Sequence, residues 1–486
     1  MSNSSIALNR FGYGIRQGEQ APAAPRQFLL AQLEEYDPAP AALKGRSDHS
    51  KKPGEILELL RRSRMQRRMQ ASEMDASMAS ENTGSAGGAN PLNGLPPEIQ
   101  RSYRAAGRVL RDDVALRTNI AVSSPTPMME RLVHFWSNHF SVTAQKPGTH
   151  YQVADHEFQA IRPHVLGKFS DMLKAAALHP AMLLYLDQFQ SIGPSSRFMR
   201  SRAARQRGNG GGAPRGLNEN LAREILELHT LGVNGGYDQS DVTELAKALT
   251  GWTVQGISRV ARFSQPQSNG AAFIAFAHEP GKRTVLGKSY ADRQNRQALE
   301  IFDDLAAHPA TARFIATKFA RHFAGDTPPD TLVSRLEADF LNTSGDLASL
   351  TQTLIASPEV WTEEPVKFRA PFEWLVSVLR LTGVDGLNGQ RLAGALNEIG
   401  QVPWRAPSPA GYDDIAASWA SPDGIWRRTE LAERIARSLR PDRIVERAQM
   451  AFPEALSDET RLWLSRAETS RQALALLLVA PEMMRR

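Results

Sequence analysis

The chain has 486 residues and a net charge of +6, with 41% hydrophobic side chains, which is enough for a sizeable core. It contains no cysteine, which excludes disulfides, thiolate nucleophiles and Cys-ligated metal sites. The first ten residues lack the basic and apolar regions of a signal peptide, and no apolar run approaches the roughly 20 residues of a membrane span. We therefore expect a soluble, cytoplasmic protein without a transmembrane segment, or one exported with a partner.

Helical periodicity dominates the chain and predicts a mainly all-α protein. Residues 1–70 are predicted to form an N-terminal helical lead-in, and residues 71–97 a flexible linker or insertion, because Ser, Gly, Asn and Pro replace the apolar period there. Residues 98–486 are predicted to form the main helical domain. A Gly/Arg-rich stretch at 192–216 predicts a mobile loop, and residues 271–287 predict a short β-hairpin around Pro280 and Gly281.

Two arginine clusters, within residues 61–68 and 197–215, are basic enough to bind polyanions. Only one aromatic ring accompanies them, and both adjoin low-complexity sequence. A solvated surface explains this pattern better than a nucleic-acid site. We therefore do not expect nucleic acid to be the partner.

The most chemically dense stretch runs from Asn218 to Trp252 and predicts two helices joined at Gly235-Gly236, with Asn218 and Ser240 as their caps. The first helix carries acidic and basic side chains at helical spacing on one side. A solvated surface explains such a ladder. If this polar face is covered, Arg223 becomes a cation for an anionic group, and Glu224 or Glu227 a base or metal ligand.

Three histidine-containing segments offer further candidates. His139 falls on the apolar face of the helix predicted at 128–140, which indicates a core histidine, while His134 shares the opposite face with Asn138. Their i, i+5 spacing does not favour a metal held by the two histidines alone. Two helices could together hold a divalent metal if His229 and Glu224 joined His139 or His134. His278, at a predicted turn, is a candidate for proton transfer.

Several of these segments also carry a family resemblance. They include ALNRFGYG (7–14), HFWSNHF (134–140), NENLARE (218–224), ELHTLGV (227–233), TGW (250–252) and PAGY (409–412). In this order they resemble the bacterial family catalogued as domain of unknown function 1800, over nearly the whole chain. The resemblance implies a long helical protein of unsettled activity. Many members carry export signals and are encoded beside a sulfatase-like family. This chain differs in lacking a signal peptide and in its insertion at 193–215.

The candidates favour an enzyme, a hydrolase acting on an anionic or glycan-related substrate through the Asn218–Asp241 hairpin. The candidate catalytic residues are Arg223, Glu224, Glu227, His229 and His278. The candidate substrate-binding residues are His134, Asn138, Asn218, Glu219, Asn220, Asp241 and Trp252. Two alternatives stay open, a non-catalytic partner or chaperone of a co-expressed sulfatase-like protein and a polyanion-binding protein. Convergence of these residues in one pocket would favour the enzyme.

Overall fold

A computed structural model describes residues 1–47, 49, 54–55, 96–146, 148–201, 216–257 and 264–486. Most of the predicted insertion at 71–97 and most of the predicted loop at 192–216 therefore lie outside the described residues, and Pro97 already begins a helix. So do most members of both arginine clusters.

Helices dominate the described chain, which confirms the predicted fold class. Those of eight or more residues are Pro25–Glu35, Pro97–Ser123, Pro127–His139, Phe169–Ala177, Gln239–Leu249, Asn295–Ala306, Pro309–Ala324, Asp330–Asn342, Leu347–Ala356, Pro371–Thr382, Gly389–Glu398, Pro422–Ser438, Ile444–Ala451, Asp458–Arg466 and Ser470–Val479. Within the described ranges, none of the helices is long and apolar enough to cross a membrane.

Local sequence explains where many of these helices begin. Proline occupies the first turn of the helices that start at Pro127, Pro309 and Pro371, where its missing N–H leaves no bond unmade. His308 caps the second of these, with its Nδ1 accepting from the backbone N–H of Ala310 at 3.1 Å. The two caps predicted for the hairpin are wrong. Asp238, not Ser240, caps the Gln239–Leu249 helix, and Glu219, not Asn218, occupies the N-cap position of the Asn220–Glu224 helix.

In the part of the chain that the structure describes, five short strands form two small antiparallel sheets. In the first, β1 (Trp252–Val254) and β2 (Gln265–Pro266) flank β3 (Ala271–Phe273). In the second, β4 (Arg283–Val285) pairs with β5 (Lys288–Tyr290). Strands thus occur where the hairpin was predicted, but the pairing differs, because the turn is Leu286-Gly287 rather than Pro280-Gly281. Both turn residues have positive φ, 49° and 74°, which suits a two-residue hairpin loop.

One hydrophobic core extends through the described chain, from Ile6 to Met484. The N-terminal residues predicted as a lead-in belong to it, since Phe11 stacks on Phe323 with ring centroids 5.5 Å apart. The domain boundaries stay a prediction.

Among the described residues, three stretches are π-helical, with backbone hydrogen bonds that span five residues instead of four: Ala7–Phe11, His156–Ile161 and Ile225–His229. The last of them directly continues the Asn220–Glu224 helix. The extra residue changes which side chains face the core, so His229 is buried instead of lying at the edge of the apolar face.

Candidate functional site

A cavity of about 340 Å³ lies between two helices, Pro127–His139 and Pro309–Ala324, and the N-terminal end of a third, Pro371–Thr382. Side chains from residues 401–415 close another side, and Tyr13 and Arg117 complete the wall. The volume is that of a small-molecule site, which spans roughly 300–1,000 Å³. Its lining brings together histidines, cations and carboxylates from segments far apart in the sequence.

His322 and Asp414 form a hydrogen-bonded pair in the cavity wall. Nδ1 of His322 lies 2.9 Å from Oδ2 of Asp414. Because a carboxylate accepts hydrogen bonds, Nδ1 carries the imidazole proton and Nε2 keeps its lone pair. Nε2 is buried, forms no hydrogen bond with a described residue and lies 3.9 Å from Oε1 of Glu373. The pair therefore holds a basic nitrogen without a hydrogen bond in a residue that lines the cavity.

The electrostatic surroundings keep this pair in the charge state of a general base. Burial lowers the pKa of His322 below its ordinary 6.5, against the opposite effect of Asp414. Burial alone would raise the pKa of Asp414, but His322 and Lys367 outweigh it and lower the value. At neutral pH the pair is thus a neutral imidazole beside an ionised carboxylate, as general-base catalysis requires.

Tyr13 and His134 form a second pair with the opposite polarity. The hydroxyl of Tyr13 lies 2.6 Å from Nδ1 of His134. Burial raises the pKa of Tyr13 and lowers that of His134 well below 6.5. The phenol therefore keeps its proton and donates a hydrogen bond to Nδ1. The neutral His134 then carries its own proton on Nε2. This buried N–H has no acceptor among the described side chains and backbone, which leaves a hydrogen-bond donor at the cavity wall.

Lys318 lies one helical turn before His322, and its Nζ is 3.1 Å from Nδ1 of His139. His139 donates its Nε2–H to the carbonyl of His229 at 3.1 Å, so Nδ1 is the acceptor and Lys318 the donor. Burial lowers the pKa of Lys318 to about 8, with Asp414 acting in the opposite direction. The ammonium is thus present at neutral pH but is lost under mildly alkaline conditions.

Two arginines of the cavity wall, Arg131 and Arg117, form ion pairs with buried carboxylates. Arg131 pairs with Glu373, and Arg117 pairs with Glu157 at 2.8 Å. Arg486 adds a second cation to Glu373 at 3.1 Å. Burial alone would raise the pKa of Glu373, but Arg131 and Arg486 outweigh it and lower the value to about 2. These ion pairs fix the positions of the side chains in the cavity wall, and the carboxylates neutralise most of the arginine charge that a ligand would meet.

Asn138 fastens the segment that carries Asp414. Its Nδ2 donates to the carbonyl of Tyr412 at 2.8 Å, and its Oδ1 accepts from the N–H of Tyr412 at 2.7 Å. The preceding Gly411 has φ +86°, and a Cβ there would lie 2.4 Å from the carbonyl oxygen of Asn138. Only glycine fits this close approach in this conformation. Asp414 therefore follows a segment fixed to the Pro127–His139 helix.

Of the residues predicted from the sequence, His134 and Asn138 line the cavity. The polar ladder of the predicted hairpin lies elsewhere. Arg223 is 43% exposed and 3.6 Å from Glu219, which also accepts hydrogen bonds from Gln239 and Thr243. This network resembles an ordinary surface ladder.

The remaining polar residues of the hairpin also have local partners. Glu227 accepts from the hydroxyl of Tyr237 at 3.3 Å. Glu224 is half-buried, and its pKa is raised mainly by burial and in addition by the nearby Glu227 carboxylate. Three further candidates have structural contacts: Asn218 donates to the carbonyl of Leu186, Asn220 starts the helix, and Asp241 accepts from the N–H of Leu286. Their predicted chemical roles stay predictions.

The remaining predicted residues are buried away from the cavity lining. His229 has no partner for either ring nitrogen among the described residues, and its ring centroid lies 6.1 Å from that of His139. His278 places Nδ1 2.9 Å from the carbonyl of Thr250. Trp252 begins β1 and shares the Phe273 ring with His278, at centroid distances of 5.6 and 5.5 Å. His229 thus approaches the cavity only through His139.

The described residues contain no group of three or more His, Asp or Glu side chains arranged to hold a metal ion. The predicted set of His134 or His139 with His229 and Glu224 does not form such a group. The cavity chemistry we describe rests on hydrogen bonds and ion pairs.

Sequence reasoning missed Lys318, His322 and Asp414. One signal was available: Lys318 and His322 stand at i and i+4 in a helix that buries Phe319 and Phe323. A polar pair at that spacing indicates one shared face. The pairing with Asp414, 92 residues further on, has no signal in a helical period.

The comparisons with known proteins add one finding. The family model described as protein of unknown function DUF1800 matches residues 6–485, a range that includes all the residues lining the cavity. No curated protein matches the chain, and no solved structure does. The chain therefore belongs to the DUF1800 family of proteins of unknown function.

Proposed function

We propose that this protein is an enzyme, a hydrolase in which His322 acts as general base on an anionic or glycan-related substrate in the cavity. The observation that carries the proposal is the His322–Asp414 pair, with a proton on Nδ1 and a lone pair on Nε2. A carboxylate that orients an imidazole in this way is the arrangement used to activate water or a hydroxyl.

The reaction follows from the two histidines. His322 Nε2 takes a proton from water as the water oxygen bonds to the electrophilic centre of the substrate. The Nε2–H of His134 donates to the oxygen that gains negative charge, and it suits this role because a neutral imidazole is a donor that loses no charge. The imidazolium of His322 then returns its proton to the leaving group as the old bond breaks. Base catalysis of this kind contributes about 10²- to 10⁴-fold in rate.

The sequence places the reaction at the Asn218–Asp241 hairpin, whereas the contacts favour the cavity. The hairpin still contributes, because the carbonyl of His229 accepts from His139 and thereby fixes the nitrogen that faces Lys318. We therefore assign His229 a positioning role and His322 the catalytic one.

A substrate panel tests the proposal. Wild-type protein is assayed against carboxylic esters, phosphate and sulfate monoesters, amides and glycosides, beside His322→Asn and the control His308→Asn. Asparagine is smaller than histidine, but its side-chain amide keeps a donor toward Asp414 and removes the base. His308 lies on the same helix as an N-cap, a role that asparagine fills well.

We expect turnover of at least one class, a loss of about 10²-fold or more in His322→Asn, and near wild-type rates in His308→Asn. Equal rates in both variants would contradict the proposal. Failure to turn over any compound would also contradict it and would favour a non-catalytic partner or chaperone role.

A further inference from the structure

Resting on the proposed function, we propose that Lys318 and Arg321 form a subsite for an oxyanion on the substrate, beside the His322 base. The substrate class is then a small molecule that carries a carboxylate, phosphate or sulfate group, rather than a neutral glycan.

The charges in the cavity wall point to this pair. Arg117 and Arg131 have carboxylate partners, Glu157 and Glu373. Lys318 contacts the Phe314 ring and a neutral imidazole nitrogen, and it forms no ion pair with a described carboxylate. Arg321 forms no ion pair within the described ranges, and its Nε is buried without a partner there. Two cations of the cavity wall thus lack a paired carboxylate.

The carboxylates near the two cations are engaged elsewhere. Asp414 pairs with His322 and Lys367, at 2.9 and 3.2 Å. Asp413 also lines the cavity, but its Oδ2 accepts from the hydroxyl of Ser418 at 2.7 Å, and it forms no ion pair with a described residue. A cation that is removed from water without a paired carboxylate has an unfavourable desolvation free energy. A bound anion would offset this free energy at Lys318 and Arg321.

Helix geometry places the subsite next to the base. Residues 318, 321 and 322 are related by i, i+3 and i+4, so they share one face of the Pro309–Ala324 helix and rise over about 6 Å. Lys318 donates one N–H to His139, and its other N–H groups remain available for a ligand. The guanidinium of Arg321 offers a planar set of donors that matches two oxygens of an oxyanion.

Calorimetric titration with inorganic phosphate, sulfate and acetate, each at constant low ionic strength, tests the subsite and distinguishes the three anions. The variants are Lys318→Gln, Arg321→Gln and the charge-preserving Lys318→Arg. Arg313→Gln is the matched control, because Arg313 lies on the same helix but pairs with Glu337 at 3.0 Å on the surface. His322→Asn is titrated in parallel.

We expect one of the three anions to bind wild type with one-to-one stoichiometry. Binding should weaken at least about tenfold in Lys318→Gln and Arg321→Gln, and stay within about twofold in Lys318→Arg, Arg313→Gln and His322→Asn. Absence of saturable binding, or equal binding in Arg321→Gln and Arg313→Gln, would overturn the subsite. Anion binding without turnover of any ester would refute the proposed hydrolase alone. His322-dependent turnover with unchanged KM in Arg321→Gln would refute the subsite alone.

Discussion

His322 and His134 line the same cavity, but one neighbouring side chain each sets them in opposite tautomers. Asp414 accepts a hydrogen bond from Nδ1 of His322, which leaves a lone pair on Nε2 of that ring. Tyr13 donates a hydrogen bond to Nδ1 of His134, which leaves the proton of His134 on its Nε2. Burial lowers the pKa of both rings, so neither needs a charge to act. In the proposed reaction His322 accepts the proton of water and becomes an imidazolium, while the neutral His134 donates a hydrogen bond to the oxygen that gains negative charge.

The pH dependence of kcat/KM should follow from the protonation of His322 and of Lys318. The rate requires neutral His322, so it should fall as pH drops through a pKa below 6.5. Anion binding requires protonated Lys318, so the rate should also fall as pH rises through about 8. In Lys318→Arg the alkaline limb should move upward by more than about one pH unit, since guanidinium stays charged, while the acid limb stays in place. An unchanged alkaline limb in that variant would contradict the role of Lys318.

Among the elements, the Pro309–Ala324 helix contributes most to the site. Its apolar positions bury Phe319 and Phe323 in the core, and this packing fixes the direction of Lys318 and His322 on the neighbouring face. The segment that supplies Asp414 has no regular structure and depends instead on Asn138 for its position.

Gly411→Ala should disturb this segment more than Gly400→Ala does. Both glycines have positive φ, +86° and +87°, so both variants incur the same backbone strain. At Gly411 the added Cβ would lie 2.4 Å from the carbonyl oxygen of Asn138, whereas at Gly400 no atom lies within 4 Å. We expect Gly411→Ala to be less stable than Gly400→Ala by about 1–3 kcal/mol in urea unfolding and to lose activity as well. Equal stability of the two variants would contradict the close approach.

For the molecule as a whole, the ion cluster around Glu373 connects distant parts of the chain. Arg131 belongs to the Pro127–His139 helix, Arg486 lies at the other end of the sequence, and both reach one carboxylate at the start of the Pro371–Thr382 helix. Breaking a buried network of this kind leaves uncompensated cations, which costs about 3–5 kcal/mol.

Glu373→Gln should therefore lower the free energy of unfolding by about 3–5 kcal/mol, measured by urea denaturation at pH 7. Glu300→Gln is the control, since its exposed pair with Arg293 contributes about 0–1 kcal/mol. The pKa of Glu373 is lowered to about 2 from 4.5, so its stabilising effect is complete above 4.5 and is lost as pH falls toward 2. A loss below about 1 kcal/mol in Glu373→Gln would contradict the network's importance.

The sequence predicts the local features well and the long-range ones poorly. Helical class and the helix that starts at Pro309 follow from rules that act within a few residues. His134 and Asn138 were found because they share one polar helical face. His322 was missed because its partner Asp414 is 92 residues away in an irregular segment. His229 was misplaced because a π-helical turn changes the helical phase, and the period of 3.6 does not anticipate it.

The turnover rates of Asp414→Asn and Asp326→Asn, on whichever substrate the panel identifies, examine the catalytic pair most directly. Both carboxylates form ion pairs with Lys367, at 3.2 and 2.9 Å, and both side chains are 34% exposed, but only Asp414 contacts His322. We expect kcat to fall by about 10²- to 10⁴-fold in Asp414→Asn, because the imidazole loses the group that orients its tautomer, and by less than about threefold in Asp326→Asn. Equal losses in the two variants, or no loss in Asp414→Asn, would contradict a general base at His322.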